Sequence, residues 1–236
     1  MTETIILAGG LGTRLRSRVS DRPKPMAEVA GRPFLEHLLF YCANQGTKHF
    51  IISVGYKGNI IKNYFGDSFK NSPITYVFED EPLGTGGAIL KSFESLRSNE
   101  PFVLLNGDTY FEVDLRNMIF FHKKNKSELT VALFTATEPD RFGLVEIDSL
   151  SKLTSFNNTK AMQNELANGG VYIVNPGLLR IKEPNAFPIS FEEVLIKMFL
   201  TQKRNMFGYK QETRFIDIGL PKDYEDAQRL KWHLIK

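Results

Sequence analysis

Short apolar runs alternate with segments of helical spacing through the first half of the chain. Residues 5–8, Ile-Ile-Leu-Ala, form an apolar run and predict a strand. Residues 34–45 place Leu35, Leu38, Leu39 and Cys42 on one face at helical spacing, and Gly46 supplies a stop. The run 50–54 predicts a second strand, followed by a helix near 57–65. Residues 74–78 predict a third strand, and 85–96 a helix with Ala88, Ile89, Phe93 and Leu96 turned inward. Residues 102–105 are apolar throughout, as a strand buried on both faces must be. Strands and helices in this alternation predict a parallel sheet with helices on both faces.

The pattern then changes. Residues 129–135, 144–147, 153–156 and 170–174 read as short strands joined by turns. Ser190-Phe191-Glu192-Glu193 has the capping-box spacing and predicts a helix through 200, while Pro221 suits the first position of a last helix reaching about 233. No repeat, low-complexity stretch or linker interrupts the series. The expected fold class is therefore α/β, Rossmann-like, with a mixed but mostly parallel sheet, in a single domain over residues 1–236.

Composition narrows the partners. A net charge of +3 suits small anionic substrates and is too weak to point to nucleic acid. The Lys124-Asn125-Lys126 cluster reads as a solvated helix end. No long apolar run predicts a membrane span, and the first residues lack the pattern of a secretory signal. The one cysteine, Cys42, sits in an apolar helix and reads as a core residue. These features point to a cytoplasmic protein, with homo-oligomerisation left open.

The candidate chemistry begins where the first predicted strand ends. Gly9-Gly10-Leu11-Gly12-Thr13-Arg14 is a glycine-rich loop, whose backbone N–H groups can close on phosphate oxygens because few side chains intervene. Arg14 and Lys24, the latter in Arg22-Pro23-Lys24-Pro25, add positive charge suited to a triphosphate. Leu15 stands where a dinucleotide fingerprint needs its third glycine, and no Walker Gly-Lys-Ser/Thr follows. Asp108, in Asn106-Gly107-Asp108 after the fourth strand, is placed either to hold Mg²⁺ or to form a turn. Asp217, flanked by Ile216 and Ile218, is a carboxylate that wants a metal or a cation. Together the two aspartates form a candidate Mg²⁺ grip. Leu83-Gly84-Thr85-Gly86-Gly87 can admit a base or sugar, or simply open a helix. Asn168-Gly169-Gly170 can approach sugar hydroxyls or form a plain turn, and Lys160 can bind phosphate or lie solvated.

The order of these segments resembles the sugar-1-phosphate nucleotidyltransferases. The resemblance runs from Leu7–Leu15 and Arg22–Met26 through Glu81–Ala88, Asn106–Asp108 and Asn168–Tyr172 to Asp217–Tyr224, nearly the whole chain. It implies a nucleotide site at Leu7, Ala8, Gly9, Gly10, Gly12, Thr13, Glu81, Gly86 and Asp108. Arg14 and Lys24 would serve at the reacting phosphates, and Gly107, Lys160, Asn168 and Gly169 would face the sugar phosphate. Mg²⁺ would sit on Asp108 and Asp217. Thr159-Lys160-Ala161 departs from the Glu-Lys-Pro common among relatives, which bears on sugar recognition. Within the family the chain is most similar to the branch that guanylylates heptose 1-phosphates, which implies GTP and a heptose 1-phosphate as substrates. Uridylyl or thymidylyl transfer to another sugar 1-phosphate, and a non-catalytic nucleotide-sugar-binding subunit, are the alternatives. A glycosyltransferase reading lacks its Asp-x-Asp, because Tyr110 stands two after Asp108.

Overall fold

The computed structural model describes residues 2–10, 22–138, 141–182, 186–219, 221–229 and 232, with backbone alone for 157–160. The chain opens with β1 (Thr2–Leu7), a small hairpin of β2 (Glu28–Val29) and β3 (Arg32–Pro33), and α1 (Phe34–Asn44). Then come β4 (Thr47–Val54), α2 (Gly58–Phe65), β5 (Ser68–Phe69), β6 (Ser72–Phe78), α3 (Gly84–Phe93) and β7 (Phe102–Asn106). The later half holds β8 (Thr109–Phe111), α4 (Leu115–Lys124), β9 (Leu129–Thr135), β10 (Gly143–Ile147), β11 (Leu153–Lys160) and β12 (Leu166–Val174). A π-helical segment, Phe191–Ile196, runs into α5 (Lys197–Thr201), followed by β13 (Met206–Lys210), β14 (Phe215–Asp217) and α6 (Pro221–Arg229). No helix among the described residues is long and apolar enough to cross a membrane.

Ten of the described strands form the main sheet. Its centre runs β7-β1-β4-β6 with every pair parallel, and β12 closes against β7 in the antiparallel sense. Register aligns side chains into rows. Ile5 lies beside Ile51 and Leu104, and Tyr172 continues that row, while Ile6, Ile52, Leu105 and Val171 make the next. Because neighbours on a strand face opposite ways, the two rows enter different cores. The Ile6 row packs with α1, α4 and Ala227 of α6; the Ile5 row packs with α3 and the 191–200 helix. This mixed, mostly parallel sheet with helices on both faces bears out the expected fold class.

Several details differ from expectation. Asn168-Gly169-Gly170 is not a turn ahead of a strand. It lies inside β12, where the pairing with β9 shifts between Asn168 and Tyr172 and Gly170 takes a φ of +68°. Such a bulge re-aims side chains without ending the strand. Residues 157–160 continue β11, so Lys160 ends a strand and does not sit in a loop. Helix α4 was legible only at its end, where Lys124-Asn125-Lys126 does close a helix; its start was not, because its apolar positions are interrupted by Arg116 and Asn117. Its start is set by Asp114, whose carboxylate accepts from Asn117 N at 3.0 Å. The helix expected from Ser190 does begin there, with Ser190 Oγ accepting from Glu193 N at 3.0 Å, but its first turns are π-helical. Strand β13, five residues with a central glycine, pairs parallel to β9 and was not legible as a strand. Cys42 is fully buried, and burial pushes its thiol well up, as suits a core residue.

Candidate active site

The parallel strands β1, β4, β6 and β7 end side by side, and their C-terminal loops enclose a cleft of about 650 Å³. That is the edge at which open α/β sheets bind ligands. Its walls include Leu7, Ala8, Gly9 and Gly10 at the end of β1, Gly55 and Tyr56 after β4, Glu79, Asp80 and Glu81 after β6, and Asn106 and Asp108 at the end of β7. Lys24, Thr85 and Gly219 line it as well.

Close backbone approach builds this edge. Ala8 N donates to Ser53 O at 2.8 Å, and Gly107 N donates to Leu7 O at 2.9 Å. A Cβ at residue 107 would stand 2.5 Å from that same carbonyl, so only glycine lets the loop after β7 pass over the end of β1. Glu79 underlies Gly9. It accepts from Ser53 Oγ at 2.9 Å and from Leu83 N at 3.3 Å, and so ties the end of β4 to the loop that opens α3.

At the far wall three charges meet. Lys24 Nζ lies 2.6 Å from Asp108 Oδ2 and 3.8 Å from Asp217 Oδ1. The Lys24 side chain is only 9% exposed, whereas that of Asp108 is 37%. Lys24 sits in a short 3₁₀ turn, Lys24–Met26, held by Met26 N on Pro23 O and Ala27 N on Lys24 O. Asp217 arrives from near the other end of the chain, and one small antiparallel pair places it. β14 lies against β8 with Asp217 opposite Thr109, and Ile218 N donates to Asp108 O at 3.1 Å. Asp217 Oδ1 also accepts from Gly219 N at 2.6 Å. Burial raises the Asp217 carboxyl above its ordinary range, and the charge of Asp108 raises it further. Lys24, the Gly219 amide and Arg141 pull it back.

The predicted residues are therefore brought together in part. Leu7, Ala8, Gly9, Gly10, Lys24, Glu81 and Asp108 line one cleft, and Asp217 joins them through Lys24. Gly86 is buried, its N–H bonded to Ile189 O at 2.8 Å. Gly107 serves beneath the loop as described. Asn168 is half-buried, and Gly169 packs on the Phe111 ring. Gly170 places the bulge against Asn106 and Thr109, next to Asp108. The expected roles of Gly12, Thr13 and Arg14, and of the Lys160 side chain, lie outside the described residues. Sequence reasoning missed Glu79 and Gly55, and gave no role to Gly219, which lies in the 217–224 run. Glu79 carried a legible signal, an acid immediately after an apolar strand, the same setting that drew attention to Asp108.

Residues 3–231 match the Nucleotidyl transferase family. The chain belongs to that family. It is 42% identical over 233 residues to the D-glycero-alpha-D-manno-heptose 1-phosphate guanylyltransferase of Aneurinibacillus thermoaerophilus, covering 99% of this chain and 100% of the relative. It is 40% identical over 226 residues to the protein of the same name from Campylobacter jejuni, covering 94% and 96%. Among solved structures it resembles HddC from Yersinia pseudotuberculosis complexed with GMP-PN. The TM-score is 0.83 and the identity 34%, over 97% of this chain and 98% of that one. As a nucleotidyl transferase the protein is an enzyme.

Proposed function

We propose that the protein transfers a guanylyl group from GTP to D-glycero-α-D-manno-heptose 1-phosphate, giving the GDP-sugar and pyrophosphate. The observation that carries this reading is Lys24, nearly buried between Asp108 and Asp217 at the wall of a cleft formed by the sheet's C-terminal edge. The two relatives at 42% and 40% identity support the choice of base and sugar.

In this reading a phosphate oxygen of the sugar 1-phosphate attacks the α-phosphorus, and the new O–P bond forms as the bond to pyrophosphate breaks. The nucleophile is already an anion, so no general base is needed, and the protein's work is alignment and charge neutralisation. The ammonium of Lys24 lowers the repulsion between the two anions and stabilises charge gathering on the α-phosphate. Gly9 and Gly10, with Gly12, Thr13 and Arg14, hold the triphosphate, and Arg14 screens the leaving pyrophosphate. Glu81 stands at the nucleoside end, and Gly107, Asn168, Gly169 and Lys160 receive the sugar phosphate.

The carboxylates fit a magnesium ion. Magnesium takes one or two carboxylates and completes its shell with water and phosphate oxygens. Asp108 and Asp217 supply that number, and Lys24 Nζ at 2.6 and 3.8 Å brings them to one point of the wall. No larger group of metal-binding side chains occurs among the described residues. Bound there, Mg²⁺ would neutralise phosphate charge next to Lys24.

The test is pyrophosphate release from GTP, UTP, dTTP, CTP and ATP, each with a panel of sugar 1-phosphates and Mg²⁺, and products identified by mass. Release with GTP and the heptose 1-phosphate is the expected result. Release with another pair keeps the chemistry and refutes the substrates. Nucleotide-sugar binding without release from any pair refutes catalysis.

A further inference from the structure

Glu192 takes no part in the chemistry above, yet one of its carboxylate oxygens reaches the cleft wall and the other reaches the buried hydroxyl beneath the bulge in β12. Oε2 accepts from Thr85 Oγ1 at 2.9 Å. Thr85 lines the cleft in the first turn of α3 and is itself fixed by Phe191 N, which donates to its hydroxyl at 2.8 Å. Oε1 accepts from the hydroxyl of Tyr172 at 3.1 Å. Tyr172 is fully buried, and its hydroxyl accepts in turn from Asn168 Nδ2 at 2.6 Å. The other end of that amide is occupied as well, because Asn168 Oδ1 accepts from Gly170 N at 3.0 Å.

These bonds have one direction. Burial and the Glu192 charge hold the Tyr172 hydroxyl in its protonated form, so it must donate to Glu192 and can only accept from Asn168. The Asn168 amide is thereby set one way round, Nδ2 inward and Oδ1 on the bulge. Removing the carboxylate would leave the buried Tyr172 hydroxyl without its acceptor, and would leave the amide held through Gly170 N and Thr85 through Phe191 N, each with one anchor fewer in its chain of bonds.

We propose that Glu192 is a positioning residue that sets the nucleoside-facing turn at Thr85 and the sugar-facing bulge at Asn168 relative to each other. The inference rests on the nucleotidyl-transfer reading, in which Asn168 receives the sugar phosphate and Glu81, which lines the cleft together with Thr85, stands at the nucleoside end. Its physical basis is that in-line transfer needs the reacting atoms near contact distance, and small displacements of either substrate are costly.

The test is steady-state kinetics of the full chain, with both KM values, kcat and Tm, on the substrate pair that the panel selects. Tyr172→Phe cuts the sugar arm and should raise the KM of the sugar 1-phosphate about 10-fold, with the nucleotide KM within about twofold. Thr85→Val cuts the nucleotide arm and should do the reverse. Glu192→Ala should raise both KM values and lower kcat about 10-fold. Glu192→Gln keeps the shape and one acceptor oxygen, and should restore at least one KM. If Glu192→Ala lowers Tm but leaves both KM values within about twofold of wild type, or moves only one, the positioning role is wrong. Should Tyr172→Phe fail to fold, the Glu192 and Thr85 variants still decide. A wild type inactive with every pair would overturn the parent reading, and this one with it, before any variant is compared.

Discussion

Replacing Lys24 with methionine keeps the stem and removes the charge from between two carboxylates. At an effective dielectric near 20, an ammonium at 2.6 Å from Asp108 and 3.8 Å from Asp217 gives gross attractions of about 6 and about 4 kcal/mol. Most of that is cancelled by the cost of taking the ammonium out of water, since the side chain is only 9% exposed. Asp108 is more than a third exposed and regains solvent when its partner goes. The net loss should therefore fall below that of a fully buried pair, at about 2 kcal/mol, or about 4–8 °C in Tm for a chain of this size. A pH dependence identifies the cause. The Asp217 carboxyl is raised by burial and by Asp108, and Lys24 opposes the shift, so the variant must raise it further. A raised carboxyl binds its proton more tightly in the folded state. Its cost is thus full above the folded pKa and is relieved as pH falls through that value toward the ordinary 3.8. The Tm deficit of Lys24→Met should be largest at neutral pH and shrink toward acid, measured by calorimetry at several pH values in EDTA. Turnover should fall about 100-fold or more, as when one charge-stabilising donor is lost. An unchanged Tm at neutral pH, or a deficit that grows as pH falls, would refute the electrostatic account.

His122 offers a second pH handle. It is buried, its Nδ1 bonds Thr130 Oγ1 at 2.9 Å, and burial pushes its pKa down to about 4. The unfolded imidazole takes its proton near 6.5, so stability should be lost as pH falls from there to about 4, by about 3 kcal/mol in all. Urea unfolding across that range should show the loss in wild type and not in His122→Gln; equal slopes would sink the assignment. Gly219→Ala would bring a Cβ to 2.7 Å from Asp217 Oδ1 and 3.0 Å from Lys24 Nζ. It should cost about 1–3 kcal/mol and lower kcat, and wild-type kinetics would show that this wall need not be tight. Asp108→Asn should shift the Mg²⁺ requirement upward about 10-fold or more, and an unchanged Mg²⁺ titration removes Asp108 from the metal site.

The parallel half of the fold was legible because its signals are local. An apolar run such as 50–54 or 102–105 has to be buried on both faces wherever it lies, and glycines after it mark where the backbone turns and packs closely. That put Gly9, Gly10 and Asp108 at one edge before any packing was known. Other parts of the site depend on residues far apart in the chain. Nothing near Asp217 says that it faces Lys24. The β8–β14 register sets that meeting, and a strand pair of three residues leaves almost no periodic trace. The bulge at Asn168 looks like a turn in sequence because glycine serves both, and only the pairing of β12 with β9 and β7 decides between them. Glu192 likewise reads as part of a helix start, and its bonds to Thr85 and Tyr172 exist because α3 and the 191–201 helix pack on one face of the sheet. The sequence by itself determined the sheet's central strands, the glycine-rich edge and the kinds of group available there, since burial and backbone freedom are properties of short segments. Which groups meet, at what distance and with what charge, was decided by tertiary pairing, because contacts between distant residues are set by register and packing and not by any neighbour in the chain.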